Sequence, residues 1–308
     1  MSTAETSAPA VPRSQPVLTR IGRFVDHYAL YVYTIFAIVY LLLPVFVMAL
    51  FSFNDPPGKS NVAWHGFTLD AWLHPFAVPG LFDVVRTSVL VALLSTIVAT
   101  ALGTLIALAL VRYQFRGSAS TNTLIFLPMA TPEIVLGASL LTLFVAIGQP
   151  PFFPTNFLTI LIAHIMFNIS FVVVTVRARL YGFDRHLEEA AMDLGATEWT
   201  TFWKVTFPLI LPGILAAALL AFSLSIDDYV ITSFTAGRTS TFPIFIWGSA
   251  RVGVPVQVNV IGTAFFVIAV GFVAITTLFQ ARANRPPRPA RPNEQRTAAA
   301  SPVTAAAE

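Results

Sequence analysis

The sequence predicts an all-α polytopic membrane protein that crosses the bilayer six times, on three observations. Of its 308 residues, 56% are hydrophobic and 11% charged, and the mean hydropathy is +0.75. A soluble domain averages about 25% charged residues. Six stretches, near residues 29–52, 87–111, 121–147, 156–177, 208–234 and 257–280, are apolar over the roughly 20 residues that span a hydrocarbon core. Arginine and lysine then segregate. With the N-terminus inside, fourteen of the eighteen fall in inner segments, leaving Lys59, Arg86, Arg238 and Arg251 outside.

Residues 1–27 read as a polar cytoplasmic tail carrying Arg13, Arg20 and Arg23. The apolar run after Tyr28 is too long for a signal-peptide core and lacks a small-x-small cleavage site. The six-span domain takes residues 28–280. Residues 281–308 are rich in Arg, Pro and Ala and read as a disordered cytoplasmic tail whose charge suits an anionic inner leaflet. Trp64, Trp72 and Trp247 lie in outer segments, where they anchor at the interface or face another protein.

The inner loop at 184–208 is polar and rich in small residues and runs directly into an apolar span. Asp184 can cap a short helix whose first turn holds Glu188 and Glu189, where carboxylates favour the helix dipole. Leu187, Ala190, Ala191 and Leu194 share one face, and the two alanines keep part of it low enough for another protein to approach. Gly195, followed by Ala196, ends the helix because glycine tolerates the left-handed cap conformation. Thr197 can cap a second helix that buries Trp199, Phe202 and Trp203 against the spans, and Pro208 marks re-entry into the membrane.

Three carboxylates lie inside spans, where each costs roughly 2.5–3.5 kcal/mol to insert. Glu133 follows Pro128 and Pro132, which break or kink the third span. Asp227 and Asp228 lie toward the outer end of the fifth. Adjacent helical residues point about 100° apart, so one of the pair lines a route and the other is paired, or hydrogen-bonded where the helix ends. The three either attract a cation in the outer half of the membrane or satisfy amides freed at helix breaks. His164, with Asn168 one turn later, suits a helix–helix hydrogen bond.

Glu189-Ala190-Ala191, Gly195 and then Val205-x-Phe207-Pro208 resemble the coupling loop of binding-protein-dependent ABC importer permeases. Over about residues 50–260 the chain resembles the spermidine/putrescine type. The resemblance is carried by Ser52-Phe53-Asn54, Trp64-His65-Gly66-Phe67-Thr68-Leu69, Leu127-Pro128, Pro132-Glu133-Ile134-Val135-Leu136-Gly137 and Ser225-Ile226-Asp227-Asp228-Tyr229-Val230-Ile231-Thr232. It implies the type I ABC importer permease fold in a bacterial inner membrane, with both termini cytoplasmic. It also implies docking through Glu188, Glu189, Ala190, Ala191, Gly195 and Ala196 on a separate ATP-binding subunit, present in two copies, which holds the ATP and Mg. A second, homologous permease and a periplasmic or surface solute-binding protein complete the set of partners, and this chain binds no cofactor. Polyamine is the implied solute, with an opine, ferric ion or an organophosphonate as alternatives within the class.

Other classes lack their residues. Gly58-Lys59-Ser60 resembles the end of a phosphate-binding loop, but Phe53 stands where its first glycine belongs. A secondary transporter would show an internal repeat. Ser139 and His164 lack the setting of a rhomboid dyad, and Asp227-Asp228 lacks the Gly-x-Gly-Asp of membrane aspartyl proteases. With no cysteine and no His-Glu-x-x-His there is no sequence case for a metal, and a net charge of +3 makes none for nucleic acid.

Overall fold

The computed structural model describes residues 17–113 and 115–283. The helices are α1 (Val17–Phe51), α2 (Asp70–Leu73), α3 (Leu81–Arg112), α4 (Ser118–Ala130), α5 (Glu133–Ile147) and α6 (Phe157–Tyr181). They continue with α7 (His186–Asp193), α8 (Glu198–Thr201), a π turn (Phe202–Thr206), α9 (Phe207–Ile226), α10 (Val230–Thr235), α11 (Phe242–Val252) and α12 (Val256–Ala283). α1 begins well before residue 28; residues 1–16 and 284–308 of the two tails lie outside the described residues.

Two units are described separately. The described residues within 1–50 and 259–308 form the first. There α12 approaches α1 closely: a Cβ on Gly262 would lie 2.8 Å from Met48 Sδ. Residues 51–258 form the second, built on α3, α6 and α9. Val91 packs beside Ile160 and Gly103 beside Val172, the same sequence offset, so α3 and α6 run parallel in register. α9 runs the other way, with Ser225 beside Ser95 and Gly213 beside Arg179. Ala99, Ala107, Ala217 and Ala221 are wholly buried between these helices and let them approach. With lipid outside, close packing of small residues supplies the dispersion that burial from water supplies in a soluble core.

Among the described residues, five helical segments are long and apolar enough to span, and a broken pair makes up to six. The third expected span is that pair: α4 and α5 meet at 109°, and at 13 and 15 residues neither alone covers the roughly 30 Å of a hydrocarbon core. Together they traverse. Asn122 takes a 2.6 Å bond from Arg177 at the basic end of α6, and Phe144 stacks on Phe152 just before the other end. The break falls at Thr131-Pro132 because proline forces its predecessor into extended conformation (Thr131 ψ 132°). Pro128 stays within the last turns of α4.

The fifth span also departs from its expected bounds. Helix runs without a gap from Glu198 to Ile226, so Pro208 does not begin it and residues 227–229 end it. Proline at 208 has no N–H and crowds the carbonyl four residues back. The wider π turn just before it absorbs that crowding, with Phe207 N–H reaching Phe202 O.

At the far end from Arg112 and Arg177, the Ser52-Phe53-Asn54 motif is a structural knot. Asn54 Nδ2 donates to Asn61 Oδ1 (2.6 Å) and Ala63 O (2.7 Å), while its Oδ1 accepts from His65 N (2.8 Å). Phe53 is sandwiched between Phe67 and Trp72 at 5.5 and 5.4 Å.

Candidate functional site

α7 is a helix with no buried residue. Asp184 Oδ1 accepts from His186 N–H (3.0 Å), closing the entry as the sequence suggested. At the exit Gly195 has φ +87°, Ala196 N–H reaches Ala191 O (3.1 Å) and Gly195 N–H reaches Met192 O (2.9 Å). This bond pair is the Schellman cap, which needs the left-handed residue that glycine supplies. Thr197 Oγ1 then accepts from Thr200 N–H (3.3 Å) to start α8. Leu187, Ala190 and Leu194 face outward; Leu194 is 90% exposed. Ala191 and Ala196 are half-buried.

The two glutamates part company. Glu189 is on the exposed face, with His186 Nδ1 at 3.1 Å. That contact, with Asp184 nearby, raises the His186 pKa above its ordinary 6.5. Glu188 turns inward, bonding to Arg112 at the end of α3 and to Thr206 in the π turn. Trp199 and Trp203 differ from expectation: they are 71% and 46% exposed. They pack on one another and on Phe202 and Phe207 at the start of the fifth span, with much of each ring left open.

The carboxylates expected in the third and fifth spans are brought together. Glu133 opens α5, where the helix dipole favours a negative charge. It shares a face with Leu136, Gly137 and Leu140, and Gly137 lies against Phe234 of α10. Glu133 is therefore within coulombic reach of Asp228 and Asp227. Asp227, at the end of α9, is exposed and bonds to no other described side chain. Asp228 is buried. Its carboxylate accepts from Ile231 N–H (3.3 Å), Thr232 N–H (2.8 Å) and Thr232 Oγ1 (2.7 Å), with His164 Nε2 at 3.3 Å.

His164 forms the helix–helix bonds its sequence position suggested. Nδ1 is 2.6 Å from Ser225 Oγ and Nε2 2.8 Å from Thr232 Oγ1; Ser225 meets Ser95 of α3 at 3.0 Å. The one proton of Thr232 goes to Asp228, so its oxygen accepts from His164 and places a hydrogen on Nε2. Asn168, one turn on, is fully buried with neither amide atom paired. The roles of Arg112, Thr206, Ser95 and Thr232 were missed from sequence. Ser95 and Thr232 carried a signal, as polar groups in apolar runs; Arg112 lies 76 residues from Glu188 and carried none.

A third feature lies at the far end, a concavity of about 680 Å³ lined by Asp55, Lys59, Asp70, Ser249 and Gln257 among others. Among the described residues no group of three or more metal-ligating side chains is assembled.

The model of the binding-protein-dependent transport system inner membrane component family matches residues 99–285. The chain belongs to that family. The permease is 35% identical over 246 residues to the spermidine/putrescine transport system permease protein PotC of Haemophilus influenzae, covering 80% of this chain and 93% of that one. It is 36% identical over 252 residues to the putrescine transport system permease protein PotI of Escherichia coli K12, covering 80% and 89%. Its fold is that of a bacterial ABC transporter involved in alginate import, at TM-score 0.63 and 17% identity, over 87% of this chain and 99% of that chain. The type I permease fold and the inner-membrane permease role follow.

Proposed function

We propose that this permease forms the path for a polyamine such as putrescine or spermidine, driven by a separate ATP-binding subunit that docks on α7. The observation that carries the reading is the carboxylate group of Glu133, Asp227 and Asp228, gathered at two helix breaks in a chain otherwise poor in charge. Irregular backbone at such depth belongs beside protein or a water-filled cavity. A protonated amine passing there meets two exposed carboxylates and a third held fixed behind them. Weak, multiple attraction lets it enter and leave again. The curated relatives named for spermidine and putrescine transport support that solute.

The same reading gives the chain no catalytic role; ATP and Mg belong to the docked subunit, in two copies. A second, homologous permease completes the pore. The basic end, with α7, faces the cytoplasm, and the far concavity faces a solute-binding protein. In a strain lacking this gene, restoring it should restore uptake of radiolabelled putrescine or spermidine, and Asp227→Asn should lower that uptake at unchanged membrane abundance. Uptake of neither amine, with a different solute accumulating instead, would leave the importer and remove the polyamine.

A further inference from the structure

We infer that Arg112 and Glu188 form the joint through which movement of α7 reaches the membrane helices, so that Glu188 transmits force within this chain and is no part of the docking face. The inference rests on the reading of α7 as the helix that meets the ATP-binding subunit. With no fully buried side chain, α7 is held only weakly by apolar packing, and polar ties fasten it to the bundle. Glu188 Oε1 takes both Arg112 Nη2 and Thr206 Oγ1, and Arg112 Nη2 also reaches Thr206 Oγ1 (3.3 Å). Beside them Arg185 Nη2 donates to Val111 O (3.0 Å), an end-of-helix carbonyl of α3.

These ties converge. One carboxylate grips the last residue of α3 and the turn that feeds α9, two of the three core helices. The Glu188 side chain is 16% exposed and that of Arg112 31%, so their attraction is less screened than that of a surface pair. Among the described residues, every side-chain tie comes from the entry to α7 or its first turn, at Arg185 and Glu188. The rest of the helix, ending in Leu194, is left to a partner. Glu189, one residue on and about 100° round the helix, points to that partner side. A push on the outward face therefore reaches the core helices through Glu188 and Arg185 as well as through the backbone that joins α7 to α6 and α8.

The test uses the assembled transporter in liposomes with Arg112→Glu, Glu188→Arg and the double exchange. Three quantities are read: copurification of the ATP-binding subunit, ATP hydrolysis stimulated by loaded binding protein, and solute accumulated per ATP. Each single reversal should keep the subunit bound and lower solute per ATP by roughly tenfold, within the usual span of coupling between sites. The double exchange should return it to within about threefold of the parent. Where a reversal lowers membrane abundance, Glu188→Gln removes the charge without inverting it and is read in the same way. Unchanged solute per ATP in the single variants, or loss of the subunit from them, overturns the joint. A parent chain that recovers no ATP-binding subunit overturns the docking reading of α7 itself, and the joint with it.

Discussion

Asp227 and Asp228 are neighbours in the chain with different surroundings. The carboxylate of Asp228 is enclosed by the first-turn amides of α10, the Thr232 hydroxyl and His164, so a passing amine would have to compete with those bonds to be held there directly. Asp227 surrenders none. Asp228→Asn should thus act on stability, by about 2 kcal/mol for bonds to a buried charge, seen as a lower melting temperature in detergent. Asp227→Asn should melt like the parent. At the opposite end His186 titrates in solvent. Its folded pKa is raised, first by the Glu189 contact and then by the charge of Asp184. The pair is therefore intact below the ordinary histidine value and is lost as pH rises through the folded value. NMR titration should place the midpoint above 6.5 in the parent, and Glu189→Gln should bring it down.

Among the elements, α7 was the most fully readable from sequence, because its determinants are local: an entry aspartate, a glycine exit and a threonine restart lie within fourteen residues. A Cβ at Gly195 would meet nothing within 4 Å, so the left-handed backbone alone disfavours a side chain there. Gly195→Asp should cost about 1–2 kcal/mol in the cap. It should leave membrane insertion intact while weakening recovery of the ATP-binding subunit on affinity purification. Gly103 is the reverse case, with unremarkable backbone and a neighbour, Val172 Cγ1, 2.6 Å from where a Cβ would stand. Gly103→Leu should prise α3 from α6 and lower the melting temperature, at about 1–3 kcal/mol. The third and fifth spans were read less well. Apolar runs show that chain is in the membrane but not how its axis turns, so the 109° bend and the end of α9 at Ile226 were beyond hydropathy. Pro132 was the one local sign of the bend, and the Asp-Asp pair the one sign of the helix end.

For the molecule as a whole, charge asymmetry and six apolar runs were enough to place the fold class, since both follow from the bilayer rather than from contacts within the chain. What stayed hidden was long-range pairing: Arg112 with Glu188, and Ser95 with Ser225 at 130 residues' separation. Such pairs depend on register between helices, which no local pattern records. The parallel register of α3 and α6, locked by His164 and Ser225, makes those helices and α9 one block. Spin labels on exposed sites of α3 and α6 should keep their mutual distance, within about 2 Å, in nucleotide-free and ATP-trapped transporter. The π turn at 202–206 sets the angular phase between the two ends of a 29-residue helical run. Deleting a residue from its α-helical part, such as Leu209, would swing everything ahead of it by about 100°, whereas deleting Val205 would let the π turn close to an ordinary α turn and leave the two ends in phase. Loop lengths elsewhere in the chain can drift, but this stretch counts residues as a gear counts teeth.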